Sequence, residues 1–234
     1  MAAKEELKLL GVDVSPFAIR AHMALVIKGV SCEYVVEYLS NKSELLLSSN
    51  PIYKKVPVLI HNGKPICESL VIVQYVDEIF SGDGVPSILP TDPYERAIAR
   101  FWAAYVDDKF FPVLRGIVLA LTEQERVEKA TETFAAIEPL EEAFAMCSKG
   151  KAFFCGDSIG YIDLALGSLL VWIEAIRRMY NIEIISASKT PRLSAWAERF
   201  GESAAAKEVL PEVDKAVQFG KMLEAAASAA AASK

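Results

Sequence analysis

The sequence predicts an α+β chain in two parts: a small mixed sheet with helices over residues 1–81, and an all-helical part over residues 92–234, joined by a linker at 82–91. Three observations carry this. Up to about residue 80, short β-branched and aromatic runs alternate with capped helical stretches. Gly82 to Pro90 is dense in Gly, Asp and Pro, as a connector is. Beyond it strand signals nearly vanish, and apolar residues recur at spacings of three and four between repeated cap signals. The 234 residues, 53% hydrophobic and 24% charged, are enough to bury a sizeable core and exclude disorder as the main state.

The first part reads β-α-β-α-β-β-α. Leu7 to Val12 is a short apolar run. Ser15 then serves as an N-cap and Pro16 as a first helical residue, whose missing N–H has no helical partner to lose. Ala21, Ala24, Leu25 and Lys28 keep helical spacing, and Gly29 stops the helix. Cys32 to Leu39 is rich enough in β-branched and aromatic residues for a strand, and a short helix follows around Ser43 to Ser48. Val58-Leu59-Ile60 and Pro65-Ile66-Cys67 flank Asn62-Gly63, a strong hairpin signal. Ser69 is expected to cap a helix through Val73, Val76 and Phe80.

The second part opens on Asp92-Pro93-Tyr94-Glu95, with a cap, a proline at the first helical position and an acid three residues after the cap. Thr122-x-x-Glu125 repeats the capping box, and Thr190-Pro191 repeats the cap-then-proline pattern. Roughly five or six helices are expected, with a kink near Pro112 and fraying in the Ala/Ser-rich tail from about residue 225.

Composition excludes several functions. A net charge of -6 argues against nucleic acid or an anionic membrane as partner. Two distant histidines, His22 and His61, do not make a His-built metal site or a His-based triad. Four cysteines without a C-x-x-C pair (Cys32, Cys67, Cys147 and Cys155) read as free thiols in a reducing cytoplasm. The start, Met-Ala-Ala-Lys-Glu-Glu-Leu, lacks an apolar signal core. The longest apolar stretch, Leu164 to Ile173, is about half of a bilayer span. No metal or resident cofactor is expected.

Three places can do chemistry. Ser15-Pro16-Phe17-Ala18 puts a hydroxyl at a helix start, where free N–H groups and the helix dipole favour an anion. With serine at position 15 and alanine at 18, dithiol exchange has no sulfur there; read locally, Ser15 is only a cap. Lys54-Lys55-Val56-Pro57-Val58 enters a strand through a proline, leaving the main chain of Val56 available to an extended ligand, or is an ordinary loop with solvated lysines. Glu68-Ser69 sets an acid beside a hydroxyl at another helix start, a pair suited to a group with both an amine and a carboxylate.

Together these residues resemble the glutathione site of the glutathione transferases, and the resemblance covers nearly the whole chain. It is closest to the plant tau class. The carrying residues are Ser15-Pro16-Phe17 with Arg20, the run from Lys54-Lys55-Val56-Pro57-Val58 to Ile66-Cys67-Glu68-Ser69, Phe101-Trp102-Ala103, and Ile159-Gly160-Tyr161-Ile162-Asp163. The resemblance implies a thioredoxin-like N-terminal domain and an all-α C-terminal domain that shapes a hydrophobic acceptor site. It implies that Ser15 hydrogen-bonds the glutathione sulfur and that glutathione is a co-substrate, so the nucleophile comes from outside the chain. Lys42 and Lys55 would meet the glycyl carboxylate, Val56 the cysteinyl main chain, and Glu68 with Ser69 the γ-glutamyl end; Pro57 would be cis.

The acceptor walls implied are Phe17, Phe111, Arg115, Trp172 and Phe219, although each aromatic alone is more often core. Gly160 takes the cap position of a buried helix whose third residue, Asp163, is then structural. The activity implied is conjugation of glutathione to hydrophobic electrophiles in detoxification, with peroxide reduction as a side activity; the alternative is a non-catalytic carrier of hydrophobic or glutathione-linked ligands. A thiol-transferase reading would want cysteine at position 15. The resemblance also implies a homodimer, with Glu78 and Arg96 as cross-subunit partners.

Overall fold

The computed structural model describes residues 6–82 and 84–232. The opening residues Met1 to Glu5, which carry most of the expected charged start, lie outside this range, as do Asp83 and the last two residues. The chain folds as two units. The first takes the residues up to Leu89 together with Ala204–Leu210; the second takes Pro90–Ser203 and the chain from Pro211 onward.

The first unit has the expected element order: β1 (Leu7–Gly11), α1 (Pro16–Ile27), β2 (Glu33–Val36), α2 (Glu44–Ser49), β3 (Val58–His61), β4 (Lys64–Cys67) and α3 (Ser69–Ile79). The strand expected over Cys32 to Leu39 shortens to Glu33–Val36. The sheet order is β2-β1-β3-β4. β1 and β2 are parallel, while β3 pairs antiparallel with both β1 and β4. Asn62 and Gly63 both have positive φ, 50° and 77°, as the tight β3–β4 turn requires. Leu9, Leu10, Val58 and Leu59 are buried in this sheet, and α1 and α3 pack against each other. A buried ion pair joins them: Lys28 Nζ lies 2.7 Å from Asp77 Oδ1 and donates to Pro86 O. Asp77 also accepts from the main-chain N–H groups of Ile88 and Leu89, so the end of the linker is held by α3.

In the second unit, α4 (Pro93–Tyr105) passes through a π-helical turn (Val106–Phe110) directly into α5 (Phe111–Leu119). Pro112 stands just after that wide turn. Proline cannot donate to the preceding turn and its ring crowds a carbonyl there; the π turn is where the helix absorbs the mismatch. Then come α6 (Glu123–Ser148), α7 (Tyr161–Gly167), α8 (Leu170–Tyr180), α9 (Pro191–Gly201) and α11 (Val213–Ala232); α10 (Ala204–Val209) packs on α1 in the first unit. With α4 and α5 counted as one interrupted rod, the second unit has six helices among the described residues. The Ala-rich tail is helical as far as Ala232, as the high helix propensity of alanine favours. At the core of this unit Trp196 lies edge-on to Phe154, with ring centroids 5.7 Å apart. Gly167 lets the Phe200 ring approach so closely that a Cβ there would lie 2.2 Å from it.

Candidate active site

Sheet register brings the expected glutathione residues to one edge. Gly11 is opposite Val36, Leu10 opposite Val58, and Val58 opposite Cys67. The end of β1, the end of β2, the start of β3 and the end of β4 therefore share one side of the sheet. From that side spring the segments carrying Ser15, Lys42, Lys55, Val56, Glu68 and Ser69. His61 pairs with Leu7 at the opposite edge, where its Nδ1 lies 2.7 Å from the Tyr75 hydroxyl. His61 is thereby kept from serving as a base for Ser15.

Ser15 is the N-cap of α1, with extended backbone (φ −75°, ψ 117°). Its Oγ accepts from Ala18 N at 3.4 Å, a long contact. Accepting leaves the hydroxyl proton available as a donor, and no described residue takes it. The residue is half-buried at the positive end of a twelve-residue helix. The cap reading and the functional reading of Ser15 are thus compatible, because they use different lone pairs and protons.

The Val56–Pro57 peptide is cis. Val56 precedes β3, and among the described residues its N–H donates to no acceptor and its C=O accepts from no donor. Lys42 Nζ donates to Lys54 O at 2.8 Å, which brings its segment against the one carrying Lys55 and Val56. At the start of α3 the structure corrects one expectation. Glu68, not Ser69, is the N-cap, with φ 70° and no side-chain cap bond, and Ser69 is the first helical residue, buried. A non-glycine residue in the left-handed region is strained and such residues gather at functional sites. Burial, reinforced by Glu68, pushes the thiol of the neighbouring Cys67 up, which disfavours its thiolate.

The acceptor residues divide between the two units. Phe17 is half-buried on α1, with the buried Arg20 guanidinium 5.1 Å from its ring centroid. In the second unit, α11 packs on both α5 and α8. This brings Trp172 of α8 and Phe219 of α11 into edge-to-face contact at 6.2 Å. Phe111, Trp172 and Phe219 are all partly exposed and Arg115 is exposed, so these aromatics are not sealed core. A cavity of ≈ 800 Å³ does lie in the second unit, lined by Trp102, Phe154, Cys147 and Cys155 among others, but none of the expected acceptor residues lines it. The cavity therefore does not coincide with the expected acceptor residues.

Asp163 is wholly buried. It accepts from Gly160 N (2.9 Å), Phe154 N (3.1 Å) and Trp196 Nε1 (2.7 Å). Glycine at the cap has no side chain, so only the return half of a capping box exists here. Burial raises the Asp163 carboxyl to about 6 against the opposing pull of those hydrogen bonds.

Two buried polar residues at this edge carry no sequence signal of burial. Glu37, at the tail of a strand-like run, and Asn50, at an Asn-Pro turn, are each 3% exposed. Among the described residues no group of three or more His, Cys, Asp or Glu could hold a metal ion. No helix there is long and apolar enough to cross a membrane.

The chain matches the family models "Glutathione S-transferase, N-terminal domain" over residues 5–78 and "Glutathione S-transferase, C-terminal domain" over residues 123–199. It is 51% identical over 227 residues to a probable glutathione S-transferase GSTU6 of Oryza sativa subsp. japonica, covering 95% of this chain and 96% of that protein. It is 48% identical over 221 residues to glutathione S-transferase U17 of Arabidopsis thaliana, covering 94% and 97%. Its fold matches the crystal structure of a tau class glutathione S-transferase from mango, Mangifera indica (TM-score 0.88, 46% identity, 93% and 98% of the two chains). It also matches rice GST1 (OsGSTU1) solved in complex with glutathione (TM-score 0.85, 36% identity, 95% and 98%). With both domain models matched, close relatives along nearly the whole chain and the same fold, the chain belongs to the glutathione S-transferase family and is of its tau class.

Proposed function

We propose that this protein conjugates the thiolate of glutathione to hydrophobic electrophiles, with Ser15 as the residue that stabilises the sulfur anion. The observation that carries this is the Ser15 hydroxyl at the start of α1, accepting from Ala18 N and keeping its own proton to donate. A free thiol titrates near 8.5, and lowering it by about two units requires roughly 2.7 kcal/mol of preference for the anion. One charge-assisted hydrogen bond together with a helix N-terminus is of that size. No general base in the chain is then needed. The proton is lost to solvent, the sulfur attacks the electrophilic carbon, and the leaving group departs with its electron pair. The same thiolate would reduce organic peroxides.

Around the sulfur, Val56 offers its unpaired main chain to the cysteinyl unit, Lys42 and Lys55 take the glycyl carboxylate, and Glu68 with Ser69 holds the γ-glutamyl amine and carboxylate. Phe17, Phe111, Arg115, Trp172 and Phe219 take the acceptor. Two copies of the chain associate, with exposed Glu78 and partly exposed Arg96 among the partners. The four free cysteines suit a cytoplasmic setting, where detoxification of this kind is at home.

Replacing Ser15 tests the assignment. Ser15→Ala is expected to lower kcat/KM for a chloronitroarene by about two to three orders of magnitude, while glutathione binding by calorimetry persists. Unchanged conjugation would remove Ser15 from the mechanism, whereas a wild type that binds glutathione and conjugates nothing would favour the carrier reading.

A further inference from the structure

The helix that separates the two glutathione-facing lysines is only six residues long, α2, Glu44–Ser49. So short a helix does not hold itself together. Its one buried residue, Leu46, packs with Leu10 and Val58. A single apolar anchor fixes the depth of a helix and leaves its ends free to swing.

Both ends are tied by buried polar side chains. At the first end, Glu37 N donates to Gly11 O at 2.8 Å, which holds Glu37 against β1. Its carboxylate then accepts twice from one residue: from Ser43 N at 3.1 Å and from the Ser43 hydroxyl at 2.5 Å. With its proton committed to Glu37, Ser43 Oγ keeps lone pairs to accept from Leu46 N at 3.0 Å and so caps α2. Lys42 immediately precedes this fixed residue, and its Nζ is drawn to Lys54 O.

At the second end, the Asn50 side chain works in both directions. Its oxygen accepts from Tyr53 N at 3.2 Å and its NH2 donates to Lys55 O at 2.9 Å. Asn50 O also accepts from Lys54 N at 2.8 Å. The main chain of Lys55 is thus fixed relative to α2 by a side chain that is itself 3% exposed.

We propose that Glu37 and Asn50 are positioning residues that set the spacing of Lys42 and Lys55, and thereby the enzyme's preference for a thiol tripeptide ending in a free glycyl carboxylate. The proposal rests on the reading of those two lysines as partners of that carboxylate. Neither Glu37 nor Asn50 touches the substrate. Each acts through the lysine segment that it holds.

Glutathione and its monoethyl ester, esterified at the glycine, differ only at the carboxylate in question. KM for each is measured with one acceptor for the wild type and for Glu37→Gln and Asn50→Asp. In Glu37→Gln an NH2 replaces one of the two acceptor oxygens, so one Ser43 donor loses its partner. In Asn50→Asp the side chain can no longer donate to Lys55 O. The wild type is expected to prefer glutathione; each variant should shrink that preference about tenfold, the size of one or two lost hydrogen bonds. It should do so by raising KM for glutathione, with KM for the ester, KM for the acceptor and kcat unchanged.

Equal rises in KM for both thiols would mean a loosened site and overturn the proposal, as would an unchanged preference. A wild type that does not distinguish acid from ester would instead overturn the lysine reading itself. Ser43→Ala, which severs the Glu37 grip from the other side, carries the same test should Glu37→Gln fail to fold.

Discussion

Asp163 stabilises the protein most where it is protonated. Its carboxyl is raised in the folded state to about 6 from 3.8, so between those values the folded chain binds more protons than the unfolded one. The contribution is complete below the unfolded value and is lost as pH rises through about 6. Compared with Asp163→Ala, the wild type should therefore keep an advantage that is about 1 kcal/mol larger at pH 5 than at pH 7.5. Urea unfolding of both proteins at the two pH values reads this directly, and an advantage that grows with pH would contradict it. Even at pH 7.5 the alanine variant should be less stable by about 3 kcal/mol, because it leaves three buried donors without an acceptor. At this scale the sequence is legible where a residue acts on its own neighbourhood. Ser15 before Pro16 and Asp163 three residues after Gly160 are cap positions, visible within four residues. Glu37 and Asn50 are not legible, because an acid or an amide in a polar stretch looks solvated until the chain folds over it. The left-handed backbone of Glu68 escapes for the same reason: nothing local asks for it.

Among the elements, α11 depends most on one distant side chain. Arg126, on α6, is buried with its guanidinium 4.0 Å from the centroid of the Tyr180 ring. It donates to Ile117 O at 2.7 Å and to Glu224 of α11 at 3.0 Å. One cation thereby joins α5, α6, α8 and α11. Arg126→Met keeps most of the volume and removes every donor, leaving the Ile117 carbonyl unpaired. We expect it to cost about 2–3 kcal/mol, seen as a lower denaturant midpoint, with KM for glutathione unchanged because none of the residues proposed to bind glutathione lies on these helices. An unaltered midpoint would show that α11 is held by its apolar face alone. Elements were readable from their ends: Asp92-Pro93, Thr122-x-x-Glu125 and Asn62-Gly63 each mark a boundary the structure keeps. The π turn before Pro112 was not, since a proline signals a disturbance without saying which backbone will absorb it.

Over the whole molecule, α4 presents Tyr94 and Phe101 to the outside at 74% and 58% exposure, seven residues apart on one face. Exposed aromatics in such a row mark contact surfaces, and this supports the proposed pairing of two chains. Sedimentation equilibrium should give a particle of twice the chain mass, and Phe101→Glu should shift it toward the single chain; a wild type that sediments as one chain would refute the pairing. The sequence by itself determined the order of the elements and the division near residue 90. Caps, turns and periodicity act over a few residues and are written into adjacent positions. Only the tertiary structure decided that α10, late in the chain, joins the first unit, that four strand ends share one sheet edge, and that Glu37 and Asn50 are buried there. Burial depends on neighbours that arrive from far along the chain, and no local preference records who they will be.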